Sequence, residues 1–511
     1  MFEDRDSPIR VTALRRGFSV TGSTLPDTAH DLDVDLMVGP LVAAMADGDG
    51  VLAHIARFAL LCSLSDPPQI TYRQEALEDF VAHPELARRI YALALQALAT
   101  EADTYRTSED RPRGMLRWAV EVLDLLTGYL RQLRAIADQY APVVASPALS
   151  AFFARVRTEL CEQYLGALGK QLDELQLADG TFMSAHLGPR NRGTDYVLRR
   201  PKPADPGWRA RFGLRPRSTL SFDLSPRDQA GSTVLGDIVD QAVGPVASTT
   251  TLSAEHVLGF FGALAAEAGF YVGCLNLADQ LTSGGYHLCM PVPLPSDHFA
   301  LSYRGIYDVA LAIGSSSPLV GNTAEADDKA LVVITGANSG GKSTLLRSIG
   351  LAQLMMQCGM FVGADSYRAN VARGVFTHFV RQEDATMTHG KLEEELARMD
   401  TIADRLEPGA LVLFNESFAA TNEREGSEIA RQIVQGLVDA GVKVVLVTHQ
   451  YTLANTLESS ALFLRAQRDA SGRPTFEIVE GAAMPTSFGG DLFRRLGGWA
   501  ADSAISAQPR P

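Results

Sequence analysis

Cysteine is scarce in this 511-residue sequence, and none of the five (Cys62, Cys161, Cys274, Cys289, Cys358) stands in a Cys-x-x-Cys pair. An odd, scattered set argues against a disulfide framework and a cysteine-based zinc site and favours buried, reduced thiols. Long apolar runs are missing as well. One of the longest, residues 257–266, is ended by Glu267 and is too short to span a bilayer, so no membrane partner is expected. The opening residues 1–6 hold no basic region followed by an apolar core, so no secretory leader is expected and the cytoplasm is the expected compartment. Positive charge is in deficit, with 46 Lys and Arg against 60 Asp and Glu, a net −14. That balance argues against a protein that coats nucleic acid by bulk attraction.

What is present is an ordinary globular composition, 46% apolar and 21% charged. The length suits roughly two to four domains. Residues 1–30 read as an irregular lead. Residues 31–295 read as a largely helical domain. Within it, residues 85–99 set Leu86, Ile90, Leu93 and Ala97 at helical spacing, Pro84 marks a break after Leu77, Phe80 and Val81, and residues 115–137 and 147–175 continue the pattern. An insertion at about 188–224, rich in Pro, Gly and Arg, interrupts it, and residues 194–198 and 218–224 are candidate hairpin strands there. Helix is expected to resume at Ser253, read as an N-cap with Glu255 in the first turn, and to run to about Leu281. From 296 to 499, strand-length apolar runs (330–335, 411–414, 442–447) alternate with helix-length segments, the signature of a mostly parallel sheet covered by helices. Residues 500–511 read as a tail.

Charge is unevenly spread. Between Arg190 and Arg217 nine basic residues face only Asp195 and Asp205. Such an island suits either a polyanion contact, with Arg199, Arg200, Arg209 and Arg211 as the candidate DNA-contacting set, or a solvated loop.

Gly336, Gly341, Lys342 and Ser343 fill the fixed places of G-x-x-x-x-G-K-[ST], between an apolar strand and an apolar helix. Glycines let backbone N–H groups converge on phosphate oxygens, and the following helix adds its positive N-terminus. The residues 336–344 (Gly336, Ala337, Asn338, Ser339, Gly340, Gly341, Lys342, Ser343, Thr344) are therefore the candidate site for ATP, with Lys342 on the outer phosphates and Ser343 a ligand for Mg²⁺. A second apolar strand ends in Asn415-Glu416, which places Asn415 toward the metal and Glu416 as the group that polarises an attacking water. A third ends in Thr448-His449, with His449 the candidate sensor of the γ-phosphate.

Together these segments resemble the ATPase domain of the MutS DNA mismatch-repair family, strongly over about residues 305–497 and more weakly in the helical part, through residues 70–77 and 270–277. The resemblance rests on the loop with Asn338 and its paired glycines, on residues 415–426 with Thr421 and Gly426, and on Thr448-His449. It implies an ABC-like P-loop NTPase domain preceded by a helical lever and core domain. It also implies a homodimer with composite ATP sites, duplex or branched DNA held between helical arms, and a cycle of clamping and release in mismatch repair or a related process. The chain departs from the pattern in four places. Nothing before residue 30 could form a mismatch-reading domain. Asn415 replaces the usual Asp, which implies weaker Mg²⁺ binding or slower hydrolysis. The Ser-Thr-rich signature loop corresponds to a segment beginning at His389, where Gly390 and Lys391 would meet the partner subunit's nucleotide. The chain ends soon after residues 487–492, too early for a full C-terminal helix–turn–helix or nuclease domain. Leu319 and Phe476 fall near positions that flank the base in relatives, although Phe476 equally suits a core position. The alternative readings are a slowly hydrolysing ATP-gated switch, which Asn415 favours, and the energising subunit of a membrane transporter, which the long helical region disfavours.

Overall fold

The computed structural model describes residues 32–103, 111–178, 180–200, 224–225, 227–315, 317–337, 339–379, 390–418, 422–457 and 461–484. The helical part comprises α1 (Leu32–Ala46), α2 (Gly50–Leu61), α3 (Pro67–Ala82), α4 (Pro84–Asp103), α5 (Pro112–Tyr140), α6 (Pro147–Glu159), α7 (Glu162–Leu175) and α8 (Gln229–Ser283), with a hairpin of β1 (Met183–Leu187) and β2 (Gly193–Leu198) before α8. Local chemistry sets the starts. Asp49 accepts the Val51 N–H at 2.8 Å, Ser146 accepts that of Leu149, and prolines open α3, α4, α5 and α6, where a missing N–H costs nothing.

The helical core forms around α8, whose 55 residues span about 80 Å. Residues 264–277 are buried without interruption, as suits a helix that is apolar on every side and packed by α1, α2, α4 and α5. By length and composition α8 could cross a bilayer, yet 78% of its most apolar window is buried inside the fold. It begins at Asp228, whose side chain accepts the Gly231 N–H at 2.9 Å, not at Ser253. Ser253 lies mid-helix and donates to the Thr249 carbonyl; the helix continues through Pro245, and the turn before it is tied to α5 by Arg113 on Asp240 at 2.8 Å. The expected helix over 147–175 is two helices, separated at Leu160 and Cys161. In the hairpin, 194–198 does form a strand, but it pairs with Met183–Leu187, and residues 218–223 lie outside the described set.

Beyond α8 come β3 (Val292–Leu294), β4 (Leu301–Ile306), α9 (Val309–Gly314), β5 (Asn322–Glu325), β6 (Leu331–Thr335), α10 (Lys342–Gln357), β7 (Ser366–Asn370), β8 (Val375–Phe379), α11 (Lys391–Ala403), β9 (Leu411–Asn415), α12 (Glu423–Asp439), β10 (Lys443–Val447), α13 (Tyr451–Thr456), β11 (Ala461–Arg468) and β12 (Pro474–Glu480). The main sheet has the order β12-β11-β6-β10-β9-β8, parallel except for the edge strand β12. A second sheet, β3-β7-β4-β5, is mixed. Since β3 already belongs to it, the architecture changes between Ser283 and Val292, a few residues ahead of 296.

The two parts meet at the C-terminal end of α10. Buried Arg73 donates to the Cys358 carbonyl at 3.0 Å with its guanidinium 5.1 Å from the Phe270 ring, and Gln74 donates to the Pro291 carbonyl. Gln357 is wholly engaged. Its amide nitrogen donates to the carbonyls of Leu64 and Ala372, its amide oxygen accepts from Ala372 N–H and from Gln353, and its own carbonyl accepts the Leu64 N–H. Buried polar groups satisfied this completely fix a joint in one geometry.

Candidate nucleotide and hydrolysis site

β6, β9 and β10 are continuous apolar runs, as expected of strands buried on both faces. Their register pairs Val447 with both Ile334 and Asn415, so all three strands end level. The loop after β6, the Asn415-Glu416 step and Thr448-His449 therefore emerge on one edge.

The loop closes tightly. Gly336 (φ 117°) and Gly341 (φ 91°) occupy left-handed backbone. A Cβ on Gly340 would stand 2.9 Å from the Ala337 carbonyl oxygen and from Ala466 Cβ, so only glycine fits there. Lys342 opens α10 with its side chain 4% exposed, and its ammonium donates to the carbonyls of Gly336 (2.9 Å) and Ala337 (3.1 Å). Burial pulls its pKa down, and Glu416, whose carboxylate lies 3.9 Å away, opposes that. Ser343 donates its hydroxyl to Asn415 Oδ1 at 2.8 Å. The backbone of Glu416 is left-handed (φ 55°), an uncommon state for a residue with a side chain, and its N–H is held by the Val447 carbonyl at 2.9 Å. His449 Nδ1 stands 3.7 Å from Glu416 Oε1. Their polar contact is the largest influence on both. It holds the Glu416 carboxyl below the usual carboxylate range and His449 above the usual imidazole range, with burial opposing each shift. Beneath them, Thr448 N–H donates to the Ile334 carbonyl, and the Thr448 hydroxyl accepts the Gln450 N–H at 3.0 Å.

The residues fit the groups that the motif implies. Ser343 and Asn415 offer two adjacent hard oxygen donors, which suits a Mg²⁺ ion that keeps much of its coordination for phosphate and water. Among the described residues no cluster of three or more His, Cys, Asp or Glu could hold a metal outright.

The structure thus brings together Lys342, Ser343, Asn415, Glu416 and His449. Asn338, His389, Thr421, Arg209, Arg211 and residues 487–492 lie outside the described residues. Gly390 caps α11 and Lys391 opens it. Arg199 and Arg200 follow β2 in the helical part, apart from this edge. Arg199 donates to Ser184 Oγ at 2.8 Å, and Arg200 pairs with Glu174 at 2.7 Å. Phe476 is 51% exposed, and a Cβ on Gly341 would lie 3.7 Å from its ring, so it flanks the loop and is not core. Leu319 is partly buried against the large core.

Sequence reasoning missed the residues behind Glu416. His378 and Glu395 are buried; His378 meets Ser417 Oγ at 2.7 Å and the Glu395 carbonyl at 3.0 Å, and Glu395 Oε2 accepts the Phe418 N–H. Only the position of Ser417 directly after Glu416 hinted at them.

A helical body joined to a mostly parallel α/β domain, with its polar residues gathered at the strand ends, defines the class of protein. Two family models match it in tandem, the MutS2 N-terminal domain over residues 65–284 and MutS domain V over residues 332–489. The chain belongs to the MutS family. It is 29% identical over 186 residues to a protein named Endonuclease MutS2 from Streptococcus equi subsp. equi, covering 35% of this chain and 24% of that one. It is 32% identical over 182 residues to the DNA mismatch repair protein MutS of Porphyromonas gingivalis, covering 34% and 20%. A MutS2 endonuclease of Lacticaseibacillus casei is 31% identical over 189 residues, covering 35% and 23%. The aligned stretches thus span about a quarter or less of the length of these relatives.

Proposed function

We propose that this protein is a P-loop ATPase that binds DNA and uses ATP binding and hydrolysis to clamp and release it, in mismatch repair or a related DNA repair or recombination process. The observation that carries the proposal is the level convergence of Lys342, Ser343–Asn415, Glu416 and His449 on one sheet edge.

In this reading residues 336–344 cradle the phosphates, and Lys342 exchanges its bonds to the Gly336 and Ala337 carbonyls for phosphate oxygens. Mg²⁺, when bound, supplies Lewis-acid neutralisation of phosphate charge, with Ser343 and Asn415 facing it. Glu416, kept ionised by His449 and Lys342, is poised to orient and polarise the attacking water, and His449 reads the γ-phosphate. Phe476, half-exposed beside Gly341, suits a flank of the base. Two copies would pair, with the segment at Gly390 and Lys391 completing the other's site. DNA would contact the helical arms, with Arg199, Arg200, Arg209 and Arg211 the candidate contacts. Residues 31 to about 290 would be the lever and core domain, the remainder to 499 the ATPase, and the compartment the cytoplasm. Asn415, which brings no charge to the metal, favours a second reading in which hydrolysis is slow and the protein acts as an ATP-gated switch.

The test is ATP turnover with Mg²⁺, with and without duplex, mismatched and branched DNA, in the wild type and in Glu416→Gln. We expect Glu416→Gln to bind ATP as the wild type does and to lose turnover by roughly 10²-fold or more. Failure of the wild type to bind ATP, or unchanged turnover in Glu416→Gln, would overturn the assignment.

A further inference from the structure

The turn that carries Glu416 is held in an unfavourable backbone state. Glu416 (φ 55°) and Phe418 (φ 60°) are both left-handed although neither is glycine, and such conformations persist only where surroundings over-determine them. The surroundings here are specific. Glu395, on the second turn of α11, reaches across with Oε2 to take the Phe418 N–H. Its backbone carbonyl, which can only accept, takes the proton on His378 Nε2 at 3.0 Å. The other ring nitrogen of His378 meets Ser417 Oγ at 2.7 Å, and that hydroxyl also lies 2.7 Å from the His378 carbonyl. The His378 ring stacks on Phe418 with centroids 5.1 Å apart and planes 20° off parallel. Arg398, one turn further along α11, donates to the carbonyls of Thr377 and Phe379 and fastens the same helix to β8.

We propose that Glu395 and His378 are positioning residues, which lock the turn 416–418 against α11 so that Glu416 keeps its hydrolytic pose only while α11 is docked. The proposal rests on the ATPase reading. Neither residue touches the phosphate loop; both act through the backbone and hydroxyl of the two residues that follow Glu416. The chemistry of Glu395 points the same way. Its second oxygen, Oε1, is buried and has no hydrogen-bond partner among the described residues; burial pushes its carboxyl above the ordinary range, and the Phe418 N–H, with Lys391 and Arg398 nearby, opposes that shift. Burying a carboxylate is costly, and the contact this one makes across the gap is the bond to the Phe418 N–H. Through Glu395, helix α11 becomes a part of the hydrolytic centre without lining it, and displacement of α11 would release Phe418 and let Glu416 relax out of its left-handed state.

The experiment measures kcat, ATP Kd and amide hydrogen exchange on the full chain for Glu395→Ala, Glu395→Gln and Ser417→Ala. Glu395→Ala is expected to lower kcat roughly 10- to 100-fold, as a misplaced reacting group does, with Kd within about twofold of wild type. Exchange of the Phe418 amide should quicken about tenfold or more while the amides of β6 and β10 stay protected. Glu395→Gln keeps an acceptor oxygen and should recover kcat to within about threefold. Ser417→Ala, a smaller change, should lower kcat less with the same unchanged Kd. Wild-type kcat in Glu395→Ala, unchanged exchange at Phe418, or a Gln variant as impaired as Ala would overturn the proposal. If the wild type shows no turnover that depends on Glu416, the ATPase reading falls, and the Phe418 exchange alone then decides whether Glu395 holds the turn.

Discussion

Ser343 donates its hydroxyl to Asn415 across 2.8 Å, which joins the first turn of α10 to the end of β9. An amide at position 415 accepts that proton as a carboxylate would, but it brings no negative charge to a cation. Asn415→Asp should therefore bind Mg²⁺ more tightly, by roughly tenfold, because ligand charge is a main determinant of affinity for a hard cation. A Mg²⁺ titration of ATP turnover checks this. An unchanged half-saturation point would mean that position 415 does not face the metal.

The Glu416–His449 contact predicts a pH window. Glu416 is depressed, so its contribution to stability is present above the unfolded carboxylate pKa and is lost as pH falls through the lower folded value. His449 is raised, so its contribution is complete below the unfolded imidazole value and is lost as pH rises through the higher folded one. The pair is thus strongest in mildly acidic solution. Both groups are more than a third exposed, so the gain is below about 1 kcal/mol. The difference in urea midpoint between wild type and His449→Ala should be largest between the ordinary carboxylate and imidazole values and should fade as pH rises through the raised His449 value.

Lys443, at the foot of β10, is buried beside Gln353 and Asn370, and its amine has no hydrogen-bond partner among the described residues. Burial pulls its pKa down to about 7, and Asp327 opposes the shift only in part. Between that value and the ordinary lysine value the unfolded chain binds more protons, so stability rises as pH rises through this range. Lys443→Met should raise stability at pH 7 by roughly 2 kcal/mol and flatten the dependence between pH 7 and 10. Denaturant melts at three pH values test both effects.

Among the described residues the side chains of Arg199 and Arg200 meet Ser184 and Glu174 in solvent-exposed contacts. Exchanging such partners for phosphates costs little. Replacing Arg199, Arg200, Arg209 and Arg211 together by Gln should weaken duplex DNA binding and make the salt slope shallower by about 0.9 for each phosphate left without its cation. Filter binding over a salt series gives the slope, and an unaltered slope would return the island to a solvated loop.

The strands that carry the candidate site were readable because a parallel strand buried on both faces is one uninterrupted apolar run, and Val444 to Val447 or Leu411 to Phe414 can be little else. The second sheet was hidden. β4 mixes Ser302 and Arg304 with Leu301 and Ile306, and its alternation is short and irregular. The start of α8 was hidden as well, since Gly236, Gly244 and Pro245 argue locally against a helix that tertiary packing sustains. Glu395 sits in the acidic run Glu393 to Glu395, which reads as a solvated face; only the fold turns the third of these inward onto the Phe418 N–H. The positive φ of Glu416 left no trace, because no glycine marks it.

Helix α10 has its two ends in different neighbourhoods: Lys342 and Ser343 beside the loop that follows β6, and Gln357 bonded to the backbone of Leu64 in the helical part. Its sixteen residues make a strut of about 24 Å. Gly350 at its middle is pressed from two sides: a Cβ there would come within 2.6 Å of Leu413 on β9 and 3.1 Å of Met37 on α1. A rod pivoted at mid-length moves its two ends by similar amounts in opposite senses. Here the far end is bonded to Leu64 and the middle is packed on Met37, so a tilt at Lys342 would carry the helical part with it, a displacement that spin labels at the two ends could measure.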